Sequence, residues 1–187
     1  MNTISSGRVS RGIVLQASLV LPVLVLIGLL WVLLAPGDLP ISADDPALTR
    51  EHGILYLDTL PFTGTVQDGL TLTSYMTGLK HGQSESRYKN GERNFVRTYA
   101  AGRETGVHEG WWEDGTPRFE YHFKDGVHHG VSKDWFRDGT LFRDFNYEHG
   151  HESGSQKMYF EDGSLRANYV VKDGRRFGLM GTKPCTG

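Results

Sequence analysis

Histidine is the side chain of this sequence that is best suited to chemistry near neutral pH. The chain has eight histidines, and four of them lie in two short stretches, at His128, His129, His149 and His151. Neutral imidazole is a common metal ligand, so these four are candidates for a zinc or copper site. They share no repeat position and have no cysteine or carboxylate at zinc-motif spacing. We therefore predict no cofactor, and keep an envelope metal-handling protein as a second hypothesis beside solvated turn histidines.

Three aspartates, Asp114, Asp138 and Asp162, recur at a spacing of 24 residues and raise the question of carboxylate chemistry. Each stands before a glycine, where Asp accepts a hydrogen bond from its own backbone in a turn. The single cysteine, Cys185, cannot form an intrachain disulfide, and Cys185 with Met180 is too small a set for a copper site. Nucleophile-elbow and phosphate-loop motifs are absent from the sequence. We therefore predict that the protein is not an enzyme.

The first residues form a hydrophobic segment. Residues 13–35 are 23 residues without a charge, and a membrane span needs about 20. Arg8 and Arg11 precede the segment, which favours a cytoplasmic N-terminus. A signal peptide cleaved before Asp44 is the alternative, although its apolar region usually has only ~7–15 residues. Both interpretations place the remaining chain across a membrane, where a formal net charge of −2 further disfavours nucleic acid as a partner.

Glycines define an internal repeat of 24 residues from about residue 78 onward. Three parallel series recur at this period, which indicates a repeat architecture. The first series is Gly91, Gly115, Gly139 and Gly163. The second is Gly78, Gly102, Gly126, Gly150 and Gly174. The third is Gly82, Gly106, Gly130, Gly154 and Gly178.

Each unit is predicted to form a β-hairpin. After each Asp-Gly pair the apolar residues alternate with polar ones, as in Leu141, Phe145 and Tyr147, and a period of two indicates a half-buried strand. The Asp-Gly pair is predicted to form the tight hairpin turn because Gly accepts positive φ without steric cost. The Gly-x-x-x-Gly stretch is predicted to form a wider turn to the next strand.

Aromatic pairs precede the Asp-Gly turns and are the predicted binding residues. Adjacent residues of a strand point to opposite faces, so the pairs predict two rows. One row is Trp111, Trp135 and Tyr159, and the other is Tyr88, Trp112, Phe136 and Phe160. Packing between hairpins would account for them without any ligand. Alternatively, one row lines a groove for a peptide, protein or glycan, because aromatic residues supply much of the energy at such surfaces.

These units resemble MORN repeats, in the variant common in bacteria. The matching features are the Gly126–Gly130 pair, Trp135-Phe136, Asp138-Gly139 and the later Tyr147, and the resemblance extends from about Phe62 to Gly178. It implies an elongated, single-layer antiparallel sheet of stacked hairpins with a binding or scaffolding role toward proteins or lipids. Some bacterial members carry an antitoxin-type label. The shortened first unit and the last unit, which no aromatic pair follows, are predicted end caps.

The combined prediction is a mainly β protein preceded by one transmembrane helix. Residues 1–12 are cytoplasmic, 13–35 form the anchor, 36–52 form a linker, 53–181 form the repeat domain and 182–187 form a tail. The predicted function is binding or scaffolding of a protein, glycan or lipid outside the cytoplasm. Metal handling and an antitoxin or immunity role are the alternatives.

Overall fold

The computed structural model describes residues 39–181, which fold as a mainly β structure with no helix. The predicted anchor, residues 13–35, and the tail, residues 182–187, lie outside the described residues. Among residues 39–181 no helix has the length and hydrophobicity needed to cross a membrane. The predicted mainly β class is therefore confirmed for this part of the chain.

Sixteen strands follow one another along the described chain. They are β1 Ile41–Ser42, β2 Leu48–Glu51, β3 Ile54–Leu57, β4 Leu60–Pro61, β5 Gly64–Asp68, β6 Thr71–Met76, β7 Leu79–Arg87, β8 Arg93–Ala100, β9 Arg103–Glu104, β10 Gly106–Trp111, β11 Pro117–Lys124, β12 Val127–Trp135, β13 Leu141–Glu148, β14 His151–Tyr159, β15 Leu165–Lys172 and β16 Arg175–Leu179.

The main sheet has 13 strands in the order β1-β5-β6-β7-β8-β10-β11-β12-β13-β14-β15-β16, with β9 paired to β8. The pairs formed by strands β5 to β16 are antiparallel, and β1 joins β5 in parallel. The predicted alternation is clearest in β15, where Ala167, Tyr169 and Val171 are buried and the residues between them are exposed. Antiparallel hairpins with alternating burial are thus confirmed.

Two kinds of turn alternate along the sheet, and their lengths are the reverse of those predicted. Asp125-Gly126 and His149-Gly150 are two-residue turns in which both residues have positive φ, as in a type I′ hairpin. The Asp-Gly pairs lie in longer loops. There Gly115 donates to the Trp112 carbonyl, and Trp112 donates to the Thr116 carbonyl. The predicted hairpin turn at Asp-Gly is therefore present, as a type I turn with a G1 bulge in which the glycine alone has positive φ. The prediction that it is the tighter of the two turns is wrong, because the other turn has one residue fewer.

A β-bulge interrupts the pairing of the two strands that follow each long loop. The register shifts between Tyr121 and Phe123 where β11 pairs with β12, and Gly130 lies opposite this shift with φ 97°. The same shift recurs between β13 and β14, at Gly154. The second glycine of each Gly-x-x-x-Gly stretch therefore forms a bulge inside a strand, and the predicted wider turn is wrong. A bulge leaves backbone groups without a ladder partner.

A second, three-stranded sheet of β2, β3 and β4 packs against the N-terminal end of the main sheet. Leu55 and Phe62 form a buried cluster with Val66 of β5 and Tyr75 of β6. Gly78 joins the two sheets, since it donates to the Phe62 carbonyl at 2.7 Å and accepts from the Leu55 N–H at 2.9 Å. We name this second sheet the cap.

Part of the predicted linker takes part in the fold. Residues 41–42 form β1, and residues 48–51 form the first strand of the cap. Ile41 and Leu48 pack against the buried cluster beneath the cap. The repeat domain therefore begins, in structural terms, before residue 53.

Candidate functional site

One row of side chains crosses the middle of the main sheet. Residues opposite one another on adjacent strands share a face, and here polar residues alternate with aromatic ones. In strand order the row is His108, Tyr121, Ser132, Phe145, Gln156 and Tyr169. We name it the central row, and the face that carries it the groove face.

The polar members of the central row are almost fully buried. His108 and Ser132 are each 2% exposed, and Gln156 is 0% exposed. Ser84, at 4%, occupies the same repeat position one unit earlier. Each of these residues stands two positions after a bulge glycine. We name this position the buried polar slot, and its burial requires hydrogen-bond partners.

Gln156 shows what the slot does. Its Nε2 donates to the carbonyls of Asn146, at 2.8 Å, and Ser153, at 3.1 Å, while its Oε1 accepts from the Asn146 N–H at 3.1 Å. Asn146 lies where the register shifts between Phe145 and Tyr147. A buried, unpaired backbone group costs about 1–3 kcal/mol. The side chain therefore replaces the strand-to-strand bonds that the bulge removes.

His108 fills the same slot with an imidazole. Its Nε2 lies 2.9 Å from the carbonyl of Thr98, which occupies the position of Asn146 two units earlier. Because a carbonyl only accepts, Nε2 carries the hydrogen there. Ser132 lies 3.2 Å from His128 Nδ1, but the burial of Ser132 closes this serine–histidine pair to a substrate. The pair is thus part of the structure and does not form an accessible nucleophile.

Contacts between tilted rings connect five strands across the groove face. His108 lies 5.7 Å from Tyr99 and 4.5 Å from Phe123, measured between ring centres. His128 lies 4.3 Å from Phe123 and 4.9 Å from Tyr147. Such separations are typical of favourable ring contacts. We name these five residues the ring ladder.

A charged network borders the ring ladder. The Tyr121 hydroxyl donates to Asp134 Oδ1, and Arg143 Nε donates to Asp134 Oδ2 at 2.7 Å. The Arg143 guanidinium also lies 5.3 Å from the ring centre of Phe145. The partly buried carboxylate is thereby paired, as burial of a charge requires.

A cavity of about 620 Å³ opens on the groove face beside these groups. Its volume lies within the range of small-ligand sites. It is lined by aromatic rings, by two imidazoles, by the positive charge of Arg97 and by the negative charge of Glu104. The lining residues are Arg97, Glu104, His108, Phe119, Tyr121, Phe123, Gly126, Val127, His128 and Gly150.

Burial shifts the titration of three of these groups. It lowers the pKa of His108 below 6.5, although the hydrogen bond to the Thr98 carbonyl acts in the opposite direction. Burial also lowers the pKa of His128. Burial, reinforced by the hydrogen bond to Asp134, raises the pKa of Tyr121 to about 12. Both imidazoles are therefore neutral near pH 7, and the phenol keeps its proton.

We expect the free energy of unfolding to decrease as the pH falls below about 6.5, the usual pKa of histidine. The unfolded chain binds protons at His108 and His128 there, whereas the folded chain binds them only at lower pH. Each histidine adds a slope of at most ~1.4 kcal/mol per pH unit. Urea unfolding of the full-length chain at about pH 7.5 and about pH 5.5 measures this loss. The loss should be smaller in His108→Gln, and an equal loss would show that His108 is not responsible.

The seven aromatic residues predicted to bind a partner lie where strands lead into the longer loops. All seven are half-buried. Trp111, Trp135 and Tyr159 end strands β10, β12 and β14. The following residues form a second set, which we name the loop-edge row: Tyr88, Trp112, Phe136 and Phe160.

Trp112, Phe136 and Phe160 of the loop-edge row each contact a side chain on the strand that follows the loop, six residues later in the sequence. The Arg118 guanidinium lies 5.6 Å from the Trp112 ring centre, and that of Arg166 lies 5.7 Å from the Phe160 ring centre. Between them along the sheet, the ring centres of Phe136 and Phe142 are 5.0 Å apart. Cation–π and aromatic contacts of this kind hold the rings in place. Intra-sheet packing thus accounts for part of their surface.

An open cavity of about 810 Å³ remains beside the loop-edge row. Phe136, Tyr159 and Phe160 line it together with Phe142 and Arg166. Because adjacent residues of a strand alternate between faces, the sequence predicted Tyr159 and Phe160 on opposite faces of the sheet. Both residues nevertheless line this cavity. The pairing of β14 with β15 shifts register at Tyr159, so simple alternation does not continue to the end of the strand.

The four candidate metal-binding histidines are separated into different surroundings. His128 belongs to the ring ladder, whereas the rings of His129 and His149 lie 5.5 Å apart. His151 is exposed at the start of β14. Within residues 39–181 no three His, Cys, Asp or Glu side chains are arranged to hold a metal ion. Cys185 lies outside the described residues.

The recurring aspartates act as predicted in turns. Asp114, Asp138 and Asp162 each accept through Oδ1 a hydrogen bond from the backbone N–H two residues later, at 3.1, 2.8 and 2.8 Å. Hydrogen bonds to Thr116 also lower the pKa of Asp114, and those to Ser164 lower that of Asp162. The carboxylates therefore stabilise loops.

Sequence reasoning did not find the buried polar slot or the ring ladder. The available signal was the polar residue two positions after each bulge glycine, at Ser84, His108, Ser132 and Gln156. Polar residues are mostly exposed in proteins, so their recurrence at this repeat position does not indicate that they are buried. Only the structure shows that His108 and Gln156 have backbone partners and that the two serines have side-chain partners.

The described chain is thus an antiparallel hairpin sheet with a ring-lined groove on one face and an aromatic cavity beside its long loops. No protein-family model matches the chain, and no curated protein matches it. The class of the protein therefore rests on its fold and on the geometry of these two surfaces.

Proposed function

We propose that the chain is a membrane-anchored binding module whose MORN-type sheet, a single layer of stacked 24-residue hairpins, lies outside the cytoplasm and holds a protein partner. The observation that carries the proposal is the open cavity of about 810 Å³ beside the loop-edge row. Exposed apolar surfaces of this kind mark contact sites. The uncharged residues 13–35 support the anchor.

The chemistry of the loop-edge row favours a protein ligand. Aromatic rings next to arginines, such as Phe160 beneath Arg166, are the residue types that dominate protein interfaces. The rings are already held by neighbours across the sheet, so little side-chain entropy is lost on binding. Successive long loops repeat the arrangement, which suits an extended partner.

The proposal predicts that the double variant Trp112→Ala/Phe136→Ala loses a partner that the wild-type chain retains. Full-length tagged chains are crosslinked in intact cells, and the adducts are compared. Leu72→Ala/Val170→Ala is the matched control, because both residues are exposed apolar side chains, at 43% and 48%, away from the loop-edge row. Adducts of one mass with the wild type and the control, and none with the double variant, are the expected result.

Two outcomes would contradict this proposal. Equal adducts from all three chains would make the loop-edge row a packing feature. Complete unfolding of the double variant, measured by circular dichroism, would place the rings in the core. Protease added outside the cells tests the location, since it should cut the repeat domain of the intact anchored chain.

A further inference from the structure

A third cavity, of about 440 Å³, lies between the cap and the first strands of the main sheet. We propose that it binds the oxyanion group, phosphate, sulfate or carboxylate, of a small molecule. Its lining residues include Arg50, Thr73, Tyr75, Lys80 and Arg97. The loop-edge residues of the proposed function are not among them, so this site goes beyond that function and is tested separately.

Three cations from three strands line this cavity, which we name the cap pocket. They are Arg50 of β2, Lys80 of β7 and Arg97 of β8, and they face one acidic lining residue, Asp68. Among the ion pairs of the described residues, none includes any of these three cations. No carboxylate therefore neutralises these three positive charges by direct contact. The charges favour binding of an anion and disfavour binding of a metal ion or another cation.

The three cations are held over aromatic rings. Lys80 Nζ lies 5.0 Å from the ring centre of Tyr99, and the Arg97 guanidinium lies 4.5 Å from that of Phe95. Arg50 lies 5.9 Å from the ring centre of Tyr75. Cation–π contacts fix a cation in position without cancelling its charge. The charges are therefore oriented before a ligand arrives, which lowers the entropic cost of binding.

Hydroxyl groups in the cap pocket supply further donors. Thr73 Oγ1 and Ser84 Oγ lie 2.8 Å apart. When the buried Ser84 hydroxyl donates to Thr73 Oγ1, the half-buried Thr73 hydroxyl keeps its own hydrogen to donate. The Tyr75 hydroxyl accepts from Arg50 Nη2 at 3.3 Å, which leaves its own hydrogen available. Oxyanions offer several acceptor oxygens and bind most strongly where charged and neutral donors converge.

The size of the cap pocket indicates a small molecule. A volume of about 440 Å³ lies at the lower end of the range for ligand cavities. It is large enough for an oxyanion with a body of about sugar size. Apolar side chains of Leu48, Leu55 and Val66 line one part of it, so the body of the ligand is expected to combine polar and apolar surface.

The test titrates the full-length chain, held in nonionic detergent, with inorganic phosphate, sulfate and acetate at constant ionic strength. Calorimetry should show saturable binding of at least one of them at a single site. Lys80→Gln and Arg97→Gln should each weaken that binding about tenfold or more, as expected for the loss of a charged hydrogen-bond donor. Lys124→Gln is the matched control, because Lys124 is an exposed cation outside the pocket, and it should bind as the wild type does.

A second readout requires no variant. Bound phosphate should slow acetylation of Lys80 by an amine reagent, and leave the rate at Lys124 unchanged, as measured by mass spectrometry. Failure of all three anions to bind would overturn the proposal. Equal weakening in Lys124→Gln, or equal protection of both lysines, would also overturn it, since general charge attraction would then explain the binding. None of these results depends on the loop-edge row.

Discussion

Replacing Gly78 by alanine is expected to destabilise the domain by ~2–5 kcal/mol. Gly78 has φ 80°, where an alanine costs about 1–2 kcal/mol. Its new Cβ would also overlap Ile54 Cγ2 and lie 2.7 Å from the Leu55 carbonyl oxygen. Overpacking of this kind costs about 1–3 kcal/mol, and here the neighbour includes backbone. Urea unfolding of the full-length chain measures the loss.

Gly102→Ala is the matched control for this prediction. Gly102 holds the same position in the next two-residue turn, with φ 79°, and a Cβ there would approach only Leu79, at 3.4 Å or more. The backbone strain is therefore equal, and only the contact with the cap differs. We expect Gly102→Ala to cost only the ~1–2 kcal/mol of strain. Equal losses in the two variants would mean that the cap does not pack on Gly78.

Replacing Gln156 by leucine, an apolar side chain, is expected to cost about 3 kcal/mol or more. Gln156 is 0% exposed, so the substitution leaves the N–H and carbonyl of Asn146, which are part-buried near the bulge, without the side-chain partners they have now. Each unsatisfied group costs about 1–3 kcal/mol. The midpoint of urea unfolding is the measurement.

Gln156→His provides the comparison, because histidine occupies the equivalent slot at residue 108. One imidazole nitrogen can donate to the Asn146 carbonyl as His108 donates to Thr98. We expect this variant to retain a substantial part of the stability that leucine loses. If Gln156→Leu changes stability by less than ~0.5 kcal/mol, the size of an ordinary surface substitution, the slot does not satisfy the bulge.

Much of the fold follows from local sequence rules. The 24-residue period predicts the repeated hairpins, and the alternation of residues such as Ala167 and Tyr169 predicts which side chains are buried. The turn lengths do not follow, because glycine with positive φ suits both kinds of turn. Thr77 and Ala101 enter positive φ beside a glycine, yet their residue types give little indication of it. Strand pairing on both sides imposes this conformation.

The candidate site is less predictable than the fold. The aromatic pairs are visible in the sequence, and the structure places an open cavity beside Phe136 and Phe160. The groove face depends instead on register, since Phe123 and His128 lie opposite each other only because a bulge shifts β12 against β11. The cap pocket depends on Arg50, a residue of the predicted linker, which meets Lys80 and Arg97 through tertiary packing. No local sequence pattern predicts that these three residues line the same pocket.

The buried polar slot has a consequence for how the gene can change. Gln156 and its partner Asn146, like His108 and its partner Thr98, lie ten residues apart, so the bulge of each of these two units is satisfied within that unit. An in-frame duplication or deletion of one unit would leave such partners together, between unchanged ends. The protein can therefore acquire a longer or shorter array by recombination in whole hairpins, and lineages are expected to differ in the number of units more readily than in their internal length.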